Sequence, residues 1–406
     1  MSADNAGVTY NPYSYEIHED PYPTYRRLRD EAPLYHNDEL NFWALSRYSD
    51  VMEGFRDSER FSSAHGVTLD PAASGPNAYR TMSFLAMDPP KHGRMRALVS
   101  RGFTPRRVVE LEPHIRELAG AHLDAAVGRG SFDFIGDFAG RLPMDVISEL
   151  IGVPQCDRAE LRRLADLLIH REEGVTDVPP EGVAAALDLI VYYTDMLAQR
   201  RARRTEDLTS ALLDAEIDGD RLTDDEIIGF LFLMVVAGNE TTTKLLGHAW
   251  YWGWRNPEQL ARPLAEQSLI PAWVEETLRY DTSSQMLGRI TTCDVDIAGG
   301  TIPAGERVLL LAGSANRDER QFADPDDFDL ARHIPAEGGE AQQIASFGFG
   351  RHFCLGASLA RLETRVALEE LVARVSDYDI DVAGTERVHS VNVRGFARLP
   401  TTVTPR

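Results

Sequence analysis

The order of apolar and polar positions along the chain predicts a mainly helical protein. Apolar residues recur at helical spacing over residues 110–127, 157–204 and 355–366. Runs rich in aromatic or β-branched residues and bounded by turn residues predict strands at 42–45 and within 289–312. We therefore expect a mainly α chain with small β-sheets confined to its two ends.

One predicted helix is apolar on every face. It begins at a capping box, in which the Thr223 hydroxyl and the Glu226 carboxylate accept hydrogen bonds from backbone amides of the first turn. The residues from Ile227 to Ala237 are apolar without interruption, which is typical of a helix buried on all sides. We predict this central helix over 222–255. Its apolar run is too short for a membrane span, which takes about 20 residues.

Composition narrows the class of protein. The chain has 406 residues, with 42 Lys and Arg against 64 Asp and Glu, a formal net charge of −22. This balance argues against a nucleic-acid binder and against docking on an anionic membrane surface. The polar residues 1–20 are interpreted as an N-terminal tail that is neither a signal peptide nor an anchor. Three cysteines are too few for a disulfide framework, so we expect a cytoplasmic protein.

The length leaves two possibilities open. Single cores tend to divide above roughly 250–300 residues, so the chain forms two domains or one large domain, 1–406, built around something that is not protein. No linker, internal repeat or low-complexity tract separates two halves. The segment 63–87 is rich in Gly, Pro, Ala and Ser over most of its length, and a loop this long in a compact domain is usually functional.

The most informative segment is 347–356, Phe-Gly-Phe-Gly-Arg-His-Phe-Cys-Leu-Gly. Its glycines permit a tight loop whose backbone amides approach a ligand closely. Cys354 stands at the start of the helix 355–366, where free N–H groups and the positive helix end stabilise a thiolate. Free cysteine is ordinarily a small buried hydrophobe, and we interpret Cys156 and Cys293 in this way. A lone thiolate cannot complete a zinc or iron–sulfur site, which takes about four ligands, but it can hold the iron of a haem.

This segment resembles the haem-binding loop of the cytochrome P450 family, matching the pattern F-G-x-G-x-H-x-C-x-G at every fixed position. The resemblance runs over nearly the whole chain. It implies the cytochrome P450 fold, a triangular single domain around one haem b, with Cys354 as the axial ligand of the haem iron. It also implies a monooxygenase that inserts one oxygen atom of O2 into a substrate, using electrons that come from NAD(P)H through redox partners.

A second matching segment lies in the central helix. Residues 237–242, Ala-Gly-Asn-Glu-Thr-Thr, are similar to the family's oxygen-activation motif A-G-x-[D/E]-T-T. A carboxylate and a hydroxyl inside an apolar helix are costly unless they have partners, although a Thr-rich turn can also satisfy itself. The resemblance implies catalytic roles for Glu240 and Thr241 as a proton relay, beside Ala237 and Gly238. Gly238 would leave space for a diatomic ligand, and the Thr241 hydroxyl could open the helix ladder.

Further residues match the family around the haem. His92 and Arg96 stand four residues apart after the helix-starting Asp88, so both can donate to one anion. By resemblance the haem is bound by Cys354, His92, Arg96, Arg289, His352, Phe347, Gly348 and Gly356. A pair such as Glu276 and Arg279 is ordinarily a solvated salt bridge. Here the resemblance implies a buried structural network of Glu276, Arg279 and Arg332.

A substrate pocket is also predicted. The substrate pocket is expected to be mostly apolar and to take a medium-sized hydrophobic molecule: a steroid, terpenoid, macrolide, fatty acid or aromatic. Its predicted walls are Phe84, Leu85, Leu233, Ala237, Gln285, Met286, Leu287, Val391 and Val393. The 63–87 segment would lie on the substrate side.

A basic run inverts the acidic balance of the chain, with six cations against one acid over 88–107. It is either a solvated face that partly holds the haem propionates, or a docking patch for an acidic ferredoxin or flavodoxin served by its reductase. The predicted docking residues are Arg94, Arg101, Arg106, Arg107, Arg351 and Arg361. We expect a monomer.

Two other functions stay open on sequence alone. A peroxygenase would take its oxygen from H2O2 and would not need the Glu240–Thr241 pair. A haem-thiolate sensor or carrier would bind without catalysis and would need neither a proton relay nor a substrate chamber.

Overall fold

A computed structural model of the chain describes residues 7–100, 103–217, 219–334 and 342–406. The predicted mainly α class with small sheets is confirmed. The helices are α1 (Tyr15–Glu19), α2 (Tyr22–Glu31), α3 (Tyr48–Arg56), α4 (Tyr79–Met82), α5 (Lys91–Val99), α6 (Pro105–Glu110), α7 (Glu112–Val127), α8 (Leu142–Ile151), α9 (Arg158–Ile169), α10 (Pro180–Ala202), α11 (Leu208–Asp214), α12 (Asp224–Arg255), α13 (Pro257–Ala265), α14 (Ile270–Tyr280), α15 (Ala312–Ala315) and α16 (Ala357–Arg374). The strands are β1 (Leu34–Asn37), β2 (Phe42–Leu45), β3 (Phe61–Ser62), β4 (Ser131–Asp133), β5 (Glu216–Ile217), β6 (Asp220–Arg221), β7 (Leu287–Thr291), β8 (Val295–Ile297), β9 (Gly300–Ile302), β10 (Arg307–Leu310), β11 (Val375–Ile380), β12 (Glu386–Arg387), β13 (Phe396–Arg398) and β14 (Pro400–Pro405).

The central helix α12 begins two residues after its predicted start and ends at its predicted last residue. The capping box is present: the Glu226 amide donates to the Thr223 hydroxyl at 3.3 Å, and the Thr223 amide donates to the Glu226 carboxylate at 2.9 Å. Helices α8, α9, α10, α14 and α16 contact α12. Gly229 is required by this packing, because a Cβ atom there would lie 2.6 Å from the carbonyl oxygen of Arg80 in α4. Neither α12 nor any other helix in the described part of the chain is long and apolar enough to cross a membrane.

Two sheets connect distant parts of the chain. The larger has the strand order β1-β2-β10-β7-β3, with β2 and β10 parallel and the other neighbours antiparallel. It joins the N-terminal strands to β7, which carries Arg289. The second sheet has the strand order β11-β14-β4, and its strand β4 comes from the helical part of the chain. The β5-β6 hairpin also lies in that part. The confinement of sheets to the two chain ends is therefore wrong, because strands of two or three residues leave no readable pattern.

The start of the chain differs from the tail predicted for residues 1–20. Residues 1–6 lie outside the described structure, but Tyr10 and Tyr13 are buried and α1 follows them. The Tyr10 ring packs edge-on against Tyr25 and Phe42, with centroids 5.9 and 6.1 Å apart. The aromatic residues of this segment are separated by polar residues and form no periodic pattern. The sequence therefore did not indicate that the segment packs against the core.

The segment predicted as a loop over 63–87 is partly helical and is held in place. It contains α4 and two short 3-10 turns. Its Asp70, 2% exposed, accepts from Arg171 at 2.8 and 3.1 Å, and Arg171 is 5% exposed. The Thr68 and Tyr13 hydroxyls also donate to Asp70, at 2.7 and 3.4 Å. A buried ion pair therefore ties this segment to the connection that follows α9.

Candidate functional site

The Cys354 loop is a compact turn closed by a backbone hydrogen bond, which the Cys354 amide donates to the Phe347 carbonyl at 2.9 Å. Gly348 and Gly350 have φ angles of +65° and +70°, in the left-handed region that favours glycine. At Gly350 a Cβ atom would also lie 3.1 Å from the carbonyl oxygen of Phe55 in α3. The glycines let the loop close against α3.

The groups around the Cys354 sulfur act against the effect of burial on its ionisation. Helix α16 begins two residues later than predicted, with Gly356 as its N-cap. The backbone amides of Gly356 and Ala357 hydrogen-bond to the sulfur, and the charges of Arg96 and Arg361 act on it. Burial raises the pKa of the Cys354 thiol above its ordinary value, and these amides and guanidinium groups oppose the rise. The side chain is accessible nonetheless, so a ligand can reach the sulfur.

Basic side chains from three elements meet beside this loop. His92 and Arg96 come from α5, Arg289 from β7 and His352 from the loop itself. The rings of His92 and His352 have centroids 4.2 Å apart, and Arg96 donates to the Phe353 carbonyl at 2.6 Å. The helix that carries His92 begins at Lys91 without a side-chain cap, because the Asp88 carboxylate instead accepts from Ser62 and Ser63.

Several polar atoms of these side chains are buried without a partner in the described structure. They are Nε2 of His92, one terminal nitrogen of Arg96 and both ring nitrogens of His352. Arg289 is 3% exposed and donates to the Gly288 carbonyl at 2.7 Å, with no carboxylate in contact among the described residues. Buried donors without acceptors cost free energy, so this site suits anionic oxygens that the chain does not supply.

The protonation of these groups agrees with that interpretation. Burial, and then the charge of Arg289, lowers the pKa of His352 to about 2. Burial, and then the charge of Arg96, lowers the pKa of His92 to about 4, and burial lowers the pKa of Arg289 to about 10. Both imidazoles are therefore neutral at pH 7 and the guanidinium groups are charged. A haem, with an iron for the sulfur and two propionates for the donors, fits these residues.

The central helix and the Cys354 loop share one apolar cluster. Leu355, next to Cys354, packs against the apolar cluster that contains Leu233 and contacts Ala237 of α12. Ala237 and Thr241 are half-buried in a helix that is otherwise mostly buried. The Thr241 hydroxyl donates to the Ala237 carbonyl at 2.9 Å, and the helix continues unbroken past this point. The suggested opening of the helix ladder at Thr241 is therefore not present.

Glu240 is a buried carboxylate with a cation beside it. It is 1% exposed, and its Oε2 lies 3.0 Å from Nζ of Lys244, itself 4% exposed. The Asn239 amide donates to its Oε1 at 3.3 Å. Burial alone would raise the pKa of Glu240, but the Lys244 ammonium turns the net shift downward. Sequence analysis missed Lys244, although its spacing of four residues from Glu240 was the signal that could have found it.

The environment of Gly238 differs from the one expected. A Cβ atom at Gly238 would lie 3.6 Å from Cγ1 of Ile147 in α8, an ordinary contact distance. Residue 238 is one step of about 100° around the helix from Ala237, whereas Ala237 and Thr241 share a face. The missing side chain at Gly238 therefore faces α8 and does not by itself make space at the Cys354 side.

The predicted network of Glu276, Arg279 and Arg332 is assembled in the core. Arg279 donates to both carboxylate oxygens of Glu276, at 2.7 and 2.8 Å, and both side chains are fully buried. The Arg332 Nε lies 3.5 Å from Glu276. His333, which sequence analysis missed, also contacts Glu276, at 2.9 Å. A buried carboxylate with three basic neighbours fixes the junction of α14 with the segment after α15.

This network reaches the Cys354 loop through one asparagine. Arg279 donates to the Asn316 carbonyl at 3.0 Å. The Asn316 side chain accepts from the Ala345 amide at 2.7 Å and donates to the Ser346 hydroxyl at 2.8 Å, directly before Phe347. The network therefore holds the first residues of the loop.

Part of the predicted substrate wall lies beside the site. One apolar cluster contains, or is contacted by, Phe84, Leu85, Leu233, Ala237 and Leu355. The Phe84 ring lies 5.8 Å from the guanidinium carbon of Arg96 and 6.0 Å from the His92 ring. Leu287 packs instead against the core of the five-stranded sheet.

The other predicted substrate residues lie against the N-terminal segment, and this corrects the prediction for them. The Tyr10 hydroxyl donates to the Met286 sulfur at 3.5 Å, and Val391 belongs to the same aromatic cluster. Gln285, Val391 and Val393 line a cavity of about 20 Å³, which is room for one water molecule. Tyr10 is too distant in sequence for the sequence to reveal that it covers Met286.

Two of the predicted docking residues are only partly exposed and are paired with acids, which corrects their role as free surface cations. Arg94 contacts Asp220 and Glu226, each at 2.5 Å. Arg361 contacts Glu275 at 2.5 Å. These acids are distant in sequence, so the pairing could not be predicted.

Other predicted docking residues remain on the surface. Arg106 is 90% exposed and pairs with Glu110 at 3.0 Å. Arg107 and Arg351 are exposed and contact no acid within the described ranges. Arg101 lies outside the described residues. The exposed cations are therefore fewer than predicted.

Comparisons with known proteins agree with this site. A cytochrome P450 family model matches residues 186–376. The protein named cytochrome P450 123 of Mycobacterium tuberculosis is 60% identical over 399 residues, 98% of each chain. The vitamin D(3) 25-hydroxylase of Pseudonocardia autotrophica is 39% identical over 396 residues, 96% of this chain and 95% of that one. The structure of CYP109E1 from Bacillus megaterium in complex with testosterone has a TM-score of 0.87 and 31% identity, covering 96% of this chain and 99% of that one. From this similarity, and from a thiolate loop surrounded by unsatisfied donors, the chain belongs to the cytochrome P450 family of haem monooxygenases.

Proposed function

We propose that this cytochrome P450 hydroxylates a medium-sized hydrophobic substrate, with Cys354 as the axial ligand of haem b and an acidic ferredoxin-type electron donor. The set of buried, unpartnered donors next to an accessible cysteine carries the proposal. Haem b offers that set an iron for the sulfur and two carboxylates for the donors. When bound, the haem supplies the redox chemistry by which O2 gives one oxygen atom to the substrate and the other to water.

Two groups of residues would serve a bound haem. Cys354 would hold the iron, and the amides of Gly356 and Ala357 would stabilise its negative charge. Thr241 donates its hydroxyl hydrogen to the Ala237 carbonyl, which leaves the oxygen lone pairs free to accept a hydrogen bond from a water molecule. Glu240, the preceding residue, is an ionised carboxylate that would accept a proton and pass it toward Thr241.

Replacement of Cys354 by Ala tests the ligand. We expect Cys354→Ala to lose the red-shifted ferrous–CO absorption band, because the axial thiolate is gone. Cys156 and Cys293 are both exposed, so their interpretation as buried hydrophobes is wrong. Cys293→Ala is therefore the matched control and should keep the band. A Cys354→Ala protein that retained the band would refute the assignment.

Product formed from O2 and NADH with surrogate partners distinguishes a monooxygenase from a peroxygenase that works only with H2O2 and from a sensor.

Replacement of Arg289 by Met tests the propionate assignment. Without haem, Arg289→Met should raise the free energy of unfolding by at least about 1 kcal/mol, because a buried cation without a carboxylate partner is removed. With haem, the variant should release haem about 10-fold faster, because a charge-assisted hydrogen bond is lost.

The matched control for this test is Arg307→Met on the neighbouring strand β10. Arg307 donates to the carbonyls of Leu40 and Leu69, at 2.8 and 3.3 Å. Its loss should therefore destabilise the apoprotein and leave the haem release rate unchanged. Urea unfolding and haem transfer to apomyoglobin measure the two effects. An Arg289→Met apoprotein less stable than the parent, with unchanged haem release, would contradict the assignment.

The proposed substrate is a steroid or a related polycyclic molecule. The walls beside the site are Phe84, Leu85, Leu233 and Ala237, all apolar, which favours burial of a hydrophobic ligand. A 39% identical relative is named a vitamin D(3) 25-hydroxylase, and a similar structure was solved with testosterone. These observations support a steroid as the substrate.

A spin-state titration tests the substrate class. Testosterone and vitamin D3 should convert the haem from low to high spin, whereas a fatty acid and a macrolide should not. Ala237→Phe should weaken the steroid response at least about fivefold, since a phenyl ring would overfill the wall, while the ferrous–CO band persists. A response to the fatty acid or macrolide alone would contradict the proposal.

The proposed electron donor is an acidic protein that binds beside the Cys354 loop. Arg351 lies in the loop, and α6, which carries Arg106 and Arg107, contacts α16 directly after the loop. The net charge of −22 repels an acidic partner, but the Debye length of about 8 Å at physiological salt lets nearby cations dominate. Exposed arginines here would therefore guide the partner to the cysteine side.

Charge reversal tests the docking surface. The double variant Arg106→Glu, Arg351→Glu should be reduced by an acidic ferredoxin about 10-fold more slowly at low salt, with a flatter salt dependence, because local attraction is lost. The control is Arg203→Glu with Arg398→Glu, the same charge change at exposed positions elsewhere. Stopped-flow reduction under CO measures both. Equal rates for the two double variants would exclude this surface.

A further inference from the structure

Helix α10 exposes a row of large apolar side chains. Val183, Leu187 and Val191 are 42%, 60% and 60% exposed. They stand four residues apart, so they lie within about 80° of one another around the helix. The other exposed large apolar side chains in the described part of the chain lie singly on separate segments. Single exposed apolar residues are ordinary, but a continuous row indicates a contact surface.

This outer row (Val183, Leu187 and Val191) is separate from the face by which α10 packs in the fold. Leu189 and Met196 of α10 are buried in the apolar cluster that also contains Leu233 of α12. Leu189 lies about 200° around the helix from Leu187, on the opposite face. A surface helix needs one apolar face to pack against its core. The fold therefore does not account for the outer row.

Carboxylates follow one edge of the outer row. Glu181, Asp188 and Asp195 are exposed and stand seven residues apart, about 100° around the helix from the row, and none is in an ion pair within the described ranges. Asp188 acts electrostatically on Arg163 of α9, but Arg163 is already paired with Glu160 at 2.6 Å. Glu181 lies in the first turn, where a carboxylate stabilises the helix, but the other two lie beyond it. This acid edge (Glu181, Asp188 and Asp195) is available to cations of another molecule.

The acid edge disfavours an antiparallel pair of two copies of this chain. Such a pair, centred on Leu187, would bring the two outer rows together, but it would also set like edges against each other. The two Asp188 side chains would face one another, and Glu181 of one copy would lie about 3 Å along the axis from Asp195 of the second copy. Like charges at this spacing repel, so the acid edge opposes self-association.

A parallel pair of copies gains no cation either. The acid edge of one copy would then face the opposite edge of the other, where Ala186 and Ile190 lie half-buried. The net charge of −22 adds a general repulsion between copies. The outer row therefore fits a molecule of the opposite charge.

We propose that the outer row and the acid edge of α10 bind a partner protein that presents a cationic amphipathic helix. Its apolar face would cover the outer row, and Lys or Arg side chains at seven-residue spacing would pair with the acid edge and set the register. An acidic ferredoxin is repelled by this edge, so the partner is distinct from the proposed electron donor. This surface does not depend on the chemistry of the haem.

A pair of synthetic peptides tests the surface. One is an amphipathic helix of three heptads with Leu on one face and Lys along its edge, and the other has Glu in place of Lys. Fluorescence anisotropy with the haem-loaded enzyme at low salt should show at least about 10-fold tighter binding of the Lys peptide. Leu187→Ser should weaken that binding at least about 10-fold, because a buried leucine contact is lost. Val382→Ser, at an apolar side chain 55% exposed elsewhere, is the matched control and should bind like the parent.

Neutral variants test the acid edge. Asp188→Asn combined with Asp195→Asn should weaken binding of the Lys peptide about 10-fold and flatten its salt dependence, because local attraction is lost. Glu39→Gln combined with Glu258→Gln removes the same charge at exposed positions elsewhere and is the matched control. It should bind nearly like the parent, since the general attraction of an acidic protein for the peptide is then lowered equally.

Sedimentation velocity supplies a second readout. The parent should be monomeric at low salt, whereas the double variant at Asp188 and Asp195 should self-associate, because its outer row is no longer flanked by repelling charges. Adding Leu187→Ser to that double variant should restore the monomer. A structural role of the two aspartates would not produce this reversal.

The outcomes distinguish the possible occupants. Equal binding of the two peptides, or Lys-peptide binding that Leu187→Ser leaves unchanged, would overturn the proposal. A parent dimer that Leu187→Ser dissociates would overturn it in favour of a second copy. Parent binding to phosphatidylcholine vesicles that Leu187→Ser abolishes would overturn it in favour of a membrane. The ferrous–CO band should be the same in every variant, and its absence from the parent would overturn the proposed function but not this surface.

Discussion

Around the Cys354 loop, the His352 ring nitrogens, Nε2 of His92 and one guanidinium nitrogen of Arg96 are buried without a partner in the described structure, and the buried Arg289 guanidinium contacts no carboxylate among the described residues. Each such group costs about 1–3 kcal/mol when it is left unsatisfied. The other elements of the site are arranged to hold these donors in place: α5 and β7 supply them, and the Glu276 network fixes the loop that faces them. A ligand that satisfies them returns this free energy as stability of the loaded protein.

Each part of the site sets an ionisable group against nearby cations. At the Cys354 sulfur, backbone amides and guanidinium groups act against the burial that raises the pKa of the thiol. In the central helix, the buried Glu240 carboxylate lies 3.0 Å from the Lys244 ammonium, which lowers the pKa of Glu240 against the effect of burial. Both groups are thereby more easily ionised than burial alone would allow.

What the sequence could reveal depended on distance along the chain. The capping box at Thr223 and the Cys354 loop are local patterns, so their positions were predicted to within about two residues. Pairs that meet only after folding left no signal. Asp70 and Arg171 are 101 residues apart, and Tyr10 contacts Met286 from the other end of the chain. The predictions of the substrate wall and of the docking patch were wrong at residues whose partners come from distant parts of the chain.

The buried pair of Asp70 and Arg171 has a consequence for the timing of ligand exchange. It joins the partly helical segment 63–87, which contains Phe84, to the connection after α9. Any movement that parts these two segments must separate opposite charges that are shielded from water, where their attraction is much stronger than on the surface. The energy barrier to separating these two segments is therefore electrostatic. It does not depend on which ligand enters, and bulk salt barely screens it.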